Sequence, residues 1–203
     1  MKIICIGRNY SEHAREMKAE TPAEPVFFMK PETAQIKNGA PFFYPAFAKE
    51  IHYETEIVLR ICKNGKNIER RFANTYYNEI TVGIDFTARD LQSQCKAKGL
   101  PWEMAKAFDG SAPIGEMVGK EKYKNIQEIS FRLDINGKTV QQGNTKDMIF
   151  TCDAIIEYVS KFVTLKMGDL IFTGTPAGVG PVAIGDKLEG FIEGEKLFEC
   201  SVK

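Results

Sequence analysis

Histidine and tryptophan are scarce in this 203-residue chain, which has two of the first and one of the second. Charge of one sign is not in surplus either, since Lys plus Arg and Asp plus Glu both number 27. Binding a phosphate backbone needs a basic excess, so no nucleic-acid partner is expected. No apolar run approaches the roughly 18 residues of a membrane span, so no membrane partner is expected. The opening "MKIICIGRNY" turns polar too soon for the core of a secretory leader. Five scattered cysteines (Cys5, Cys62, Cys95, Cys152 and Cys200) form no CxxC pair. Free thiols in a reducing cytoplasm are the simplest account.

What is present is apolar mass. Hydrophobic residues make up 43% of the chain, with 14 Phe among them, enough for a sizeable core. The length suits a single domain spanning 1–203. Residues 1–6 read as a buried strand, and "NYSEHAREMKAE" as a helix with Asn9 and Glu12 at capping-box spacing. "VFFMK" and "PFFYPAF" read as short strand or loop, the second suiting either core or an interface. "IHYETEIVLRI" (51–61) alternates as a strand and meets Asn64-Gly65, a hairpin signal, because both residues of a type I′ turn need positive φ. "ITVGIDF" (80–86) is a further strand, followed by a helix with Thr87 and Asp90 at capping-box spacing and a stop at Gly99. "SFRLDI" meets a second hairpin signal at Asn136-Gly137. "DAIIEYVSKFV" (153–163) carries Ile155, Val159, Phe162 and Val163 on one helical stripe. Many strands and few helices imply an α+β fold dominated by a mixed or antiparallel sheet.

One pattern is out of place. In 51–61 the odd positions are almost wholly apolar, while His52, Glu54 and Glu56 share the even face. Either that face is wet, or the two acids share a cation; the pair alone favours the first reading. Asp85, ending the apolar "TVGID", reads as a turn residue or as a third acid. An all-oxygen set of this kind suits Mg²⁺, Mn²⁺ or Ca²⁺ rather than Zn²⁺. His13 and Glu16 lie three apart on one helix face. They form either a surface pair or a base whose tautomer the carboxylate fixes. Lys106 lies in an apolar stretch between Trp102 and Phe108. "FTGTPAGVGP" (172–181) lacks the Gly-Lys-Ser/Thr of a phosphate loop. It suits a rigid loop that binds a small anion through amides and the Thr175 hydroxyl.

"GRNYSEHAREM", "HYETE", "GIDFTARDLQ", "KGLPWEMAKAFDG" and "GDLIFTGTPAGVGP" follow the order found in the fumarylacetoacetate hydrolase family. Over essentially its whole length the chain resembles the short acylpyruvase and oxaloacetate-decarboxylase branch of that family. The resemblance implies a mixed, twisted β-sheet roll with a few flanking helices, a divalent metal (usually Mg²⁺ or Mn²⁺) and a homodimer. By position, Glu54, Glu56 and Asp85 match the metal ligands. His13 and Glu16 match a water-activating dyad on a lid segment, here within 1–20, that orders when substrate binds. Lys106 matches the lysine facing the substrate, and Arg8, Gln92 and Thr175 match residues that hold its carboxylate and oxo groups. The expected substrate is a small 2-oxo or 1,3-dioxo acid, cleaved at a C–C bond by acylpyruvate hydrolysis, oxaloacetate decarboxylation or both, through a metal-stabilised pyruvate enolate. Relatives that isomerise or hydrate 2-oxo-alkenoic diacids offer an alternative. A metal-binding module without catalysis is a third reading, disfavoured by the retained His13, Glu16 and Lys106.

Overall fold

The computed structural model describes residues 1–16 and 21–203. Its centre is the segment Thr55–Ile61, whose β-branched and aliphatic residues suit a strand buried on both faces. It pairs antiparallel with Leu170–Phe172 on one side and Tyr77–Ile84 on the other. Ile3–Gly7 adds in parallel to Leu170–Phe172, and Val26–Lys30 and Val118–Gly119 close the two edges of a mixed six-stranded sheet. A second, antiparallel sheet runs in the order Lys138–Asn144, Ser130–Ile135, Lys187–Ile192, Glu195–Ser201. Ile57, Leu59, Val82 and Ile84 from the first sheet join Phe131, Leu133, Leu188 and Phe198 from the second in one core. Burying each such side chain stabilises the fold by about 1.5–3 kcal/mol. Val58 faces the opposite way, into a smaller cluster with Ile3, Cys5, Leu170 and Phe172.

This is the expected α+β roll, with helices confined to its flanks. Several local expectations change. The segment 51–61 is two strands, Ile51–Tyr53 and Thr55–Ile61, which break at Glu54 and belong to different sheets. No hairpin forms at Asn64-Gly65. Gly65 bridges to Leu165, Asn64 accepts from the Met167 N–H, and the strand returns only at Tyr77 after a short helix, Arg70–Ala73. The hairpin at Asn136-Gly137 does form, with φ of 52° and 78°.

The helix expected in the first twenty residues covers Ser11–Glu16, and the rest of its expected length, 17–20, lies outside the described residues. Asn9 does not cap it. Its amide donates to the carbonyls of Phe150 and Thr173 and accepts from the Phe150 N–H, stapling the helix entry to the core. Thr87 does not cap the next helix either; it lies in a two-residue strand, and the helix Arg89–Lys98 has no side-chain cap. Gly99 ends that helix in the left-handed region as expected. The later helix is Cys152–Phe162, where Ile155 and Val159 are buried but Phe162 is exposed. Among the described residues no helix is long and apolar enough to cross a membrane.

Candidate metal centre

The even face at 54–58 is dry. Glu54 is 6% exposed, Glu56 1% and Val58 0%, so the wet-face explanation of the acid pair fails. The backbone N–H of Asp85 donates to the Glu54 carbonyl at 2.8 Å, which ties the strand break at Glu54 to the end of Tyr77–Ile84. Three buried carboxylates thereby meet: ligand atoms of Glu54, Glu56 and Asp85 all lie within 4.8 Å of one another.

Such crowding of like charge requires compensation. Lys106, itself buried, donates to Glu54 Oε2 at 2.7 Å and to Asp85 Oδ2 at 2.8 Å, with a third bond to Thr87 Oγ1 at 2.6 Å. Arg89 donates to Glu54 Oε1 at 2.7 Å and to Gln92 Oε1 at 2.7 Å. Lys30, fully buried, places Nζ 2.8 Å from Asp85 Oδ1, an ion pair whose angle does not make a hydrogen bond. Its donors go instead to Ser111 Oγ and the carbonyls of Ser111 and Phe86. The Ser111 hydroxyl in turn donates to the Lys106 carbonyl. A single buried ammonium therefore braces both Asp85 and the segment that carries Lys106.

The electrostatics divide the acids. Burial works to raise the Glu54 pKa, but Lys106 and Arg89, with His13 behind them, outweigh it and hold the carboxyl well below its usual range. Burial also works to lower Lys106, yet Asp85 and Glu54 more than offset it, so this side chain is a firm ammonium rather than a neutral nucleophile. Glu56 differs. Burial first, then Asp85 and Glu54, push its pKa well up. Its hydrogen bond among the described residues comes from the Gly174 N–H, at 2.6 Å, and it has no ion pair there. The donor set is all oxygen, and one carboxylate lacks a cation. Both features fit a hard divalent ion.

The helix Ser11–Glu16 brings His13 near enough for its charge to act on Glu54. His13 is 7% exposed, and its Nδ1 is 3.1 Å from Glu16 Oε2. Both Glu16 oxygens accept from the Gly178 N–H, at 3.2 and 3.3 Å, which fastens the dyad to the loop 172–181. That loop approaches closely because Gly174 has φ of 103°, and a Cβ there would lie 2.6 Å from Asn9 Cβ.

The remaining expected residues are placed unevenly. Gln92 is buried beside Arg89, which takes its oxygen and leaves its NH₂ as the group to offer a ligand. Arg8 is half-buried at the end of Ile3–Gly7, in the left-handed region at φ 59°. Thr175 is tied into the frame. Its hydroxyl donates to the Thr55 carbonyl and accepts from Gln141. Sequence reasoning missed Arg89 and Lys30. Arg89 stood inside the quoted "GIDFTARDLQ", but nothing in the spacing showed which side chains it would bridge. Lys30, ending "VFFMK", looked like a solvated strand terminus.

The family profile described as "Fumarylacetoacetate (FAA) hydrolase C-terminal" matches residues 2–203. The mouse mitochondrial protein named oxaloacetate tautomerase FAHD1 is 43% identical over 201 residues, covering 99% of this chain and 91% of its own. The mitochondrial oxaloacetate decarboxylase of Dictyostelium discoideum is 41% identical over 194 residues, covering 95% of this chain and 89% of its own. Among solved structures, fumarylpyruvate hydrolase from Pseudomonas aeruginosa, in complex with Mn²⁺ and pyruvate, superposes with a TM-score of 0.93 at 37% identity, covering all of this chain and 89% of that one. By profile, sequence and structure alike, the chain belongs to the fumarylacetoacetate hydrolase family of enzymes.

Proposed function

We propose that this enzyme depends on a divalent metal and cleaves a C–C bond in small 2-oxo or 1,3-dioxo acids, by acylpyruvate hydrolysis, oxaloacetate decarboxylation or both. The observation that carries the reading is the placement of an ammonium, Lys106, on two of three convergent carboxylates, beside a His13–Glu16 dyad that is latched to Gly178. Glu54, Glu56 and Asp85 would hold Mg²⁺ or Mn²⁺, which supplies a Lewis acid and a template for the carboxylate and 2-oxo oxygen of the substrate. The Mn²⁺ and pyruvate in the Pseudomonas aeruginosa relative support that choice.

The chain's own groups do the rest. Arg8 and the Gln92 amide orient the substrate's carboxylate end. With its Nδ1–H given to Glu16, His13 keeps the Nε2 lone pair and takes a proton from water. The hydroxide adds to the distal carbonyl. When the C–C bond breaks, its electron pair passes into an enolate, and the positive charge of Lys106, whose N–H groups are held by Glu54, Asp85 and Thr87, stabilises the negative charge that develops. A proton returned to carbon gives pyruvate and a carboxylic acid. Decarboxylation of oxaloacetate uses the same electron sink but needs no attacking water.

The name of the mouse relative favours a second reading, keto–enol tautomerisation of oxaloacetate, in which the dyad moves a proton and no bond between carbons breaks. Product analysis by NMR decides between them. Pyruvate with a second fragment from acetylpyruvate, or with CO₂ from oxaloacetate, supports cleavage. Accelerated keto–enol exchange without pyruvate supports tautomerisation, and rearrangement of an unsaturated 2-oxo diacid without fragments supports isomerisation.

The expected homodimer belongs to the same proposal. Phe47 and Met104 are 55% and 63% exposed beside Met29, Leu91 and Phe108, around an apolar groove of about 1000 Å³. A second copy of the chain is the occupant that fits it.

A further inference from the structure

The ammonium on which the proposed reaction relies is carried by very little structure. Lys106 ends a helix of four residues, Glu103–Lys106, which has no side-chain cap. A single turn makes few bonds for the backbone it fixes, so a helix this short does not hold itself together. Its outer face is open, with Met104 63% exposed. Lys106 Nζ nevertheless meets three oxygens, at 2.7, 2.8 and 2.6 Å. Placing a side chain that closely requires its backbone to be fixed from outside the helix.

Ser111, which is fully buried, supplies that constraint. Its hydroxyl donates to the Lys106 carbonyl at 2.9 Å and accepts from Lys30 Nζ at 2.9 Å. Its carbonyl accepts from the Phe86 N–H and again from Lys30, each at 2.9 Å. Lys30 also donates to the Phe86 carbonyl at 3.2 Å. Phe86 follows Asp85 directly. One serine is thus bonded to the backbone of the lysine and to the backbone beside the acid that this lysine meets. A hydroxyl suits the place because it donates and accepts at once. With Lys30 on its acceptor side, its proton is directed at the Lys106 carbonyl. Burying an ammonium is costly, and a serine that only filled space would not call for one.

We propose that Ser111, locked in place by Lys30, is a positioning residue for the reaction: it fixes the backbone of Lys106 relative to Asp85 and so holds the ammonium's charge beside the forming enolate. The inference rests on the enolate reading above and deepens it. Ser111 takes part in neither metal binding nor proton transfer. Its loss is therefore felt in the chemical step, and alike in hydrolysis and decarboxylation, because both pass through the same enolate.

The test combines steady-state kinetics of the Mn²⁺-loaded protein on oxaloacetate and acetylpyruvate with calorimetric titration of Mn²⁺ into the stripped protein. Ser111→Ala should lower kcat about tenfold on each substrate the parent turns over, the scale of one buried acceptor left unsatisfied. KM and Mn²⁺ affinity should stay within about twofold of the parent. Ser111→Cys keeps a weaker donor and should fall between the two; it carries the same test should Ser111→Ala fail to fold. In a Lys106→Met background Ser111→Ala should change kcat by less than about twofold, because the group it positions is gone. A lower melting temperature with kcat per metal-loaded site unchanged would show a role in stability alone and overturn the proposal. An equal loss of kcat in both backgrounds would overturn it too, as would an about tenfold weaker Mn²⁺ affinity, which places the effect on Asp85. If the metal-loaded parent releases pyruvate from neither substrate, the enolate reading falls, and the positioning role with it.

Discussion

Replacing Lys106 by Met keeps the stem of the side chain and removes the charge that joins Glu54 Oε2 to Asp85 Oδ2. Three buried carboxylates then face only Arg89 and Lys30. Removing one partner of a buried ion pair typically costs about 3–5 kcal/mol. A second route to the magnitude gives a ceiling. The stranded site can relax by taking a proton, and neutralising a carboxyl of ordinary pKa near 3.9 at pH 7 costs about 4 kcal/mol. For a chain of this length each kcal/mol moves the melting temperature by about 2–4 °C, so Lys106→Met should melt about 6–16 °C below the parent in EDTA. Divalent metal should return much of that loss, since it restores the missing positive charge. Circular-dichroism melts at pH 7, in EDTA and in Mn²⁺, check both parts. The metal-induced rise should be larger in the variant than in the parent. Equal melting of the two proteins in EDTA, or an equal rise with Mn²⁺, would refute the claim that these acids are held together by borrowed cations.

Three other outcomes follow from the geometry. His13→Ala should lower acylpyruvate hydrolysis by about 10²–10⁴-fold while sparing more of the oxaloacetate decarboxylation; equal losses in paired rate measurements would contradict a water-activating role. Gly174→Ala combines φ of 103° with a Cβ 2.6 Å from Asn9 Cβ. Backbone strain and overpacking together should cost at least about 2 kcal/mol, read as a lower urea midpoint, and a parental midpoint would count against that close approach. Phe47→Glu with Met104→Glu should convert a dimer to a monomer in sedimentation velocity, and an unchanged sedimentation coefficient would reject that groove as the interface.

The sequence announced the roll and the acids but not the scaffolding around them. Alternation in 51–61 marked a strand, and the order of five motifs marked the family. The break at Glu54 was not legible, because periodicity records which side a residue faces and not which sheet its backbone joins. The Asn64-Gly65 signal failed for a related reason. Turn propensity acts over four residues, whereas here the Asn64 side chain was taken by Met167 from a distant segment. Asn9 and Thr87 had the spacing of helix caps, but tertiary partners captured the first and strand pairing captured the second. Lys30 and Arg89 were hidden for an electrostatic reason. A lysine or arginine reads as solvated unless the buried acid it answers is known, and that acid lies 55 residues away for Lys30 and 35 for Arg89. Thr175 shows the converse, since its hydroxyl looked free in the motif and is bound in the fold.

The central claim is that Glu54, Glu56 and Asp85 form a catalytic metal centre. The direct measurement is pyruvate release from acetylpyruvate and from oxaloacetate by metal-stripped protein, before and after addition of Mg²⁺ or Mn²⁺, alongside Glu56→Ala. The account predicts negligible release without metal, restoration on its addition, and no restoration in Glu56→Ala. Full activity in the stripped protein, or a metal-replete and active Glu56→Ala enzyme, would contradict it.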